Sequence, residues 1–281
     1  MSFPMADARS EVFHRFTTAC QDDARIQAAF LGGSHGAGTA DAYSDLDLYL
    51  FIADESYEDF FADRANFLRR LGEPVFQEDF NGFGFDLMAF ILANGVDGEL
   101  VLERSSRADN IQNGPFVPVV DRGGLLQERD FPIRLPSAAE RADVLRMALL
   151  WFWRDIIHIT RAIARDRPWT AYGYLEEMRH KCVDLLTLAQ GRDEESPEPF
   201  VPVNGFAVLE RVTYEAELAL LRSSLGPLDR SALLASTRAL IQIYQRLGPP
   251  LAKHHGLPYP NQLAALTLKQ FDGMDAAMRG E

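Results

Sequence analysis

The sequence predicts an α+β domain with a mixed sheet over residues 1–135, followed by an all-α helical bundle over residues 136–281. Three observations carry this. Short apolar runs of strand length alternate with helical periods through the first half. Asn94-Gly95 and Asp97-Gly98 mark a hairpin between two such runs. Beyond Pro132 and Pro136 every apolar repeat has helical spacing.

Residues 7–20 carry Val12, Phe13, Phe16 and Ala19 at helical spacing, which predicts a first amphipathic helix. Ile26–Leu31 reads as a strand entering a tight turn at Gly32-Gly33. Leu46–Ile52 reads as a second strand, buried on both faces except at its acid. A helix over 56–71 would bury Phe60, Phe61, Phe67, Leu68 and Leu71. The hairpin pairs Phe83–Leu92 with Glu99–Glu103 across the loop Ala93–Gly98, and Phe116–Val120 is a further strand.

The proline-flanked segment Asp130–Ser137 marks the domain boundary, with Ser137 as a helix N-cap. Val144 to Ile163 and Leu175 to Ala189 are then two helices, 191–204 an acidic loop, and 205–223, 229–247 and 260–278 three more helices. Gly226-Pro227 and Gly248-Pro249-Pro250 separate these last three.

The 281 residues, 47% hydrophobic and 25% charged, have an ordinary globular composition. A net charge of −13 argues against nucleic acid, whose phosphates call for clustered Lys and Arg. It suits a cationic small molecule, or serves solubility alone, which is the reading preferred here. Two cysteines, Cys20 and Cys182, make neither a disulfide framework nor a zinc site. With no signal peptide at the start and no apolar run of spanning length, a cytoplasmic protein is expected.

The run from Gly32 to Asp47 is the most informative stretch. A Gly-Gly-Ser turn able to hold phosphate precedes two acids, Asp45 and Asp47, in Asp-x-Asp spacing on a strand. Strand side chains alternate faces, so both carboxylates project to one side while Leu46 points to the core. Hard oxygen ligands beside a phosphate cradle suit a magnesium-bound nucleoside triphosphate. Ser34 can donate to phosphate, and the residues after it could start a helix facing that phosphate. Ser44 could bind phosphate too, or close the loop as a turn residue.

Attack on an α-phosphate clamped by two metal ions calls for a third carboxylate. Asp86 and Glu99 are the two candidates. Glu99 is preferred because an acid opening the apolar run Glu99-Leu100-Val101-Leu102 is costly unless liganded.

Gly32-Gly33-Ser34, Ser44-Asp45-Leu46-Asp47 and Gly98-Glu99-Leu100 resemble the motifs of the polymerase-beta-like nucleotidyltransferase superfamily. Within it, the chain is most similar to antibiotic nucleotidyltransferases, in particular the lincosamide enzymes with a helical C-terminal half. It departs from these at Asp47, where glutamate is common, and at His35, where an aromatic residue is common; His35 is read as exposed.

The resemblance implies that Asp45, Asp47 and Glu99 are catalytic and hold two Mg2+ ions. It also implies that Gly33 and Ser34, with Ser44, bind the nucleotide. The implied reaction transfers AMP from ATP, or another nucleoside monophosphate, to a hydroxyl of an amine-bearing small molecule such as a lincosamide, releasing pyrophosphate. Alternatives are an aminoglycoside or protein acceptor, or an idle nucleotide-binding module. A homodimer is implied as well. Glu99 is one candidate general base; Glu176 and Glu177 on the helical half are the others.

Elsewhere the simpler reading is preferred. Trp151, Phe152 and Trp153 are read as core, Arg154, Arg161 and Arg179 as solvent-facing, and His254-His255 as surface.

Overall fold

The computed structural model describes residues 4–81, 84–111, 114–127, 129–132, 137–193, 206–210 and 212–279. The chain divides into two units, Met1–Arg134 and Leu135–Glu281. Of the boundary segment expected at 130–137, residues 133–136 lie outside the described residues, as do residues 194–204 of the expected acidic loop.

The first unit is a mixed six-stranded sheet with helices. α1 (Pro4–Asp22) leads into β1 (Ile26–Leu31), a one-turn helix α2 (Gly33–Gly36), β2 (Leu46–Ile52) and α3 (Tyr57–Leu71). β3 (Pro74–Phe80), β4 (Asp86–Leu92), β5 (Asp97–Arg104) and β6 (Val117–Asp121) follow. The spatial order is β3-β4-β5-β2-β1-β6. β2 and β5 run parallel, and every other neighbouring pair is antiparallel.

β2 matches its expected span because both its faces are apolar. Leu46, Leu48, Leu50 and Ile52 pack with Val12, Phe16, Phe60 and Phe67 of α1 and α3. Tyr49 and Phe51 face the other way, into an aromatic cluster with Phe30, Phe116 and Phe131. Phe30 stacks on Tyr49 at 4.5 Å and on Phe131 at 4.9 Å between ring centres. Asp47 shares this second face by parity, at the end of the strand where the aromatic cover stops. Arg122, just past β6, donates to the carbonyls of Cys20, Gln21 and Asp23, satisfying the end of α1.

Two sequence expectations change here. β3 is an additional strand, exposed along almost its whole length, so no alternation marks it. β5 begins at Asp97, two residues earlier than expected, so Gly98 belongs to the strand and not to the turn. The turn is made by Gly95 at φ +84°, with Gly95 N–H donating to the Leu92 carbonyl.

The second unit comprises α4 (Ala138–Ala164), α5 (Pro168–Asp193), α6 (Glu215–Ser223), α7 (Arg230–His254) and α8 (Asn261–Arg279). Ser137 caps α4 in a reciprocal box with Glu140. Phe152 and Trp153 are fully buried, with Phe152 stacked on Tyr244 at 4.1 Å, while Trp151 is 39% exposed beside Arg154. Arg179, expected to face solvent, is 2% exposed and donates to the hydroxyl and carbonyl of Ser224. α7 continues through Pro249 and Pro250, where a stop was expected. The buried Leu251 and Ala252 hold that last turn in place despite two lost donors. The helix expected over 205–223 is a short 3-10 turn at Ala207–Glu210 and then α6. No helix among the described residues is long and apolar enough to cross a membrane.

Candidate active site

The site forms where β1 hands over to α2 and where β2 and β5 start side by side. Register pairs Asp47 with Glu99 directly across the parallel strands. Glu99 and Val101 share the aromatic face with Asp47, whereas Asp86 shares the opposite face with Met88 and Phe90. There Asp86 accepts the Tyr57 hydroxyl at 2.5 Å. Parity therefore brings Glu99, not Asp86, to the Asp45/Asp47 pair.

Glu99 is exposed rather than enclosed in the apolar run it opens, so a cost of burial there does not single it out. Gly98 explains the Gly-Glu step instead. A Cβ there would lie 2.3 Å from the Leu46 carbonyl oxygen and 2.9 Å from the Phe90 ring. Only glycine lets β5 approach β2 this closely, which sets Glu99 beside Asp47 in register.

Their proximity shows in their ionisation. Burial, then the charges of Asp45 and Glu99, push the Asp47 carboxyl up to about 6. Partial burial, then Asp45, raises Glu99 as well. Among the described residues no three His, Cys, Asp or Glu side chains close around a single point.

Gly33, at φ +52°, lies against the same group: a Cβ would fall 1.7 Å from Asp47 Oδ2. The bend and the acid are thus one packed unit. Gly32 N–H donates to the Asp47 carbonyl at 3.0 Å, tying turn to strand. On α2 the hydroxyl of Ser34 and Nε2 of His35 are both buried with no hydrogen-bond partner among the described residues. Such orphaned groups are costly unless a ligand meets them. His35 is only partly exposed, which corrects its expected place at the surface. The Ser44 hydroxyl accepts the Asp41 N–H at 2.9 Å and donates to the Asp41 carboxylate at 3.3 Å. It closes the loop, the second of the two readings open for it.

The residues present fit a divalent cation and a phosphate. Three mutually repelling carboxylates make no ion pair among the described residues, and two buried polar side chains without a partner there border the glycine bend. Of the rival acids on the second unit, Glu176 accepts from Arg179 and Glu177 pairs with Lys181 at 3.5 Å.

A match to a family model makes the chain a nucleotidyltransferase. It belongs to the streptomycin adenylyltransferase family, whose model matches residues 7–271. The chain is also similar to the crystal structure of an aminoglycoside 6-adenyltransferase from Bacillus subtilis. That likeness has 15% identity and a TM-score of 0.43, and covers 94% of this chain and 96% of that one. No curated protein matches the sequence.

Proposed function

We propose that the protein transfers AMP from ATP to a hydroxyl of an amine-bearing small molecule, with Mg2+ held by Asp45, Asp47 and Glu99. The observation that carries this is the register-fixed pairing of Asp47 with Glu99 beside the Gly33–Ser34 bend. The family name supports an aminoglycoside acceptor ahead of the lincosamide expected from sequence.

Bound Mg2+, two ions in this reading, would neutralise the triphosphate and stabilise charge on the attacking and leaving oxygens. The chain supplies the rest. Ser34 Oγ–H and His35 Nε2–H donate to donor phosphate oxygens, answering the two buried groups without partners. Glu99 accepts the proton of the acceptor hydroxyl. The hydroxyl oxygen bonds to the α-phosphorus as the bond to the bridging oxygen of the β-phosphate breaks, and pyrophosphate departs.

The test is mass spectrometry of aminoglycosides and lincosamides incubated with the protein, Mg2+ and mixed triphosphates. An adenylylated aminoglycoside is expected. ATP binding with no adduct and no pyrophosphate would leave only a nucleotide-binding module.

Glu99→Gln should lower turnover roughly 10²–10³-fold, the scale for losing one charge-stabilising group. Asp86→Asn should keep most of the activity and lose thermal stability, since its partner is Tyr57. The reverse pattern in a steady-state assay would move the third acid to Asp86. A homodimer is part of this reading, supported by the exposed Met147, Leu150 and Trp151 on α4; a sedimentation coefficient of a monomer would remove it.

A further inference from the structure

In-line transfer sets the attacking hydroxyl and the leaving pyrophosphate on opposite sides of the α-phosphorus, and the sheet order gives those sides different surroundings. The phosphate bend continues from β1, on one flank of β2, while β5, β4 and β3 extend from the other flank. The inference that follows rests on the transfer reading above.

On the acid-bearing face of that second flank, register places Ala89 opposite Glu99 and Glu78 opposite Ala89. To either side of this row, Phe76 stands opposite Ile91 and Phe80 opposite Leu87. Phe76, Phe80 and Ile91 are 46%, 47% and 41% exposed, an apolar border around the smallest side chain of the strand. Among the described residues the Glu78 carboxylate has no ion pair. The nearby Arg64 is paired with Asp79, which points to the other face.

Strand spacing puts the Glu78 and Glu99 backbones about 10 Å apart, the span of a small ring system. We propose that this shelf is the acceptor subsite. A ring-shaped polyol lies over Ala89 with its C–H faces on Phe76, Phe80 and Ile91. One of its ammonium groups pairs with Glu78, and its reacting hydroxyl is delivered to Glu99. A cationic amine is favoured because every charged group in the row is a carboxylate. Apolar borders with one fixed charge are the usual make-up of a small-molecule site.

The probes are streptomycin, kanamycin and lincomycin, with binding read by calorimetry on the full chain without ATP. ATP affinity is measured separately, so that failure of the donor reading is distinguishable from failure of the shelf. Ala89→Leu, which fills the floor, should weaken binding of the accepted probe at least tenfold. Glu78→Gln should weaken it roughly fivefold, with ATP affinity within twofold of wild type for both variants. If both variants bind the probe within twofold of wild type, the shelf is not the acceptor subsite. The same holds if the wild type binds none of the three. A wild-type dimer that Phe76→Ser with Phe80→Ser converts to monomer would give the face to a second copy of the chain and overturn the proposal.

Discussion

Asp47→Asn is expected to abolish nucleotidyl transfer while leaving the fold intact. The change is nearly isosteric, yet it removes the carboxylate that Gly33 packs against and that faces Glu99 across the strands. Turnover should fall by roughly 10³-fold or more, at or beyond the upper end for one electrostatic group. The same substitution should stabilise the metal-free protein. The Asp47 carboxyl is raised in the folded state to about 6 from an ordinary 3.8. Its contribution is therefore fully present below 3.8 and lost as pH rises through 6, where the folded site must carry a costly charge. At pH 8 the variant should melt a few degrees higher than wild type, and at pH 4 the gap should close. Mg2+ should raise the wild-type Tm at pH 8 and leave the variant unmoved. Near-normal turnover, or equal Mg2+ shifts in both proteins, would refute the assignment of Asp47 to the metal.

Gly33→Ala should be the most damaging change outside the acids. A side chain at φ +52° costs about 1–2 kcal/mol from backbone strain alone. The new methyl must also displace the Asp47 carboxylate, since the two would stand 1.7 Å apart. A displacement near 1 Å at a reacting centre costs roughly 10²-fold in rate. Circular dichroism should report a folded protein of lowered Tm, and kcat should fall more than the affinity for ATP. Gly38, also at positive φ but with open space around it, makes the control: Gly38→Ala meets only the backbone cost. Equal activity in the Gly33 and Gly38 variants would show that the close approach of bend and acid is irrelevant.

Much of this site is visible in the sequence because it is local. The Gly32-Gly33-Ser34 bend and the Asp45/Asp47 pair lie within sixteen residues, and parity alone aims both acids to one side of β2. The third acid is harder, since register across a parallel pair depends on residues fifty positions apart. The sequence preference for Glu99 over Asp86 rests on burial, whereas in the structure the two are separated by alternation, which turns Asp86 toward Tyr57 and sets Glu99 on the face of Asp47. Gly98 reads as a turn signal and serves as a strand residue, because its role is to let two backbones close on each other. β3 carries no alternation at all, being an edge strand exposed on both faces. Nothing local in the sequence marks the partial burial of His35, and Ser44 reads equally well as a phosphate ligand or a turn residue.

The parallel pairing of β2 with β5 has a consequence for how the protein comes into being. Asp47 and Glu99 become neighbours only after α3 and the β3–β4 hairpin have been made and folded back between them. Closing so distant a contact is slow compared with forming a helix or hairpin. A ribosome-bound chain therefore carries its bend and its first two acids long before it can act. Partial products of synthesis or of proteolysis within this segment should be inert rather than leaky, and activity should return on refolding no faster than the two strands find each other.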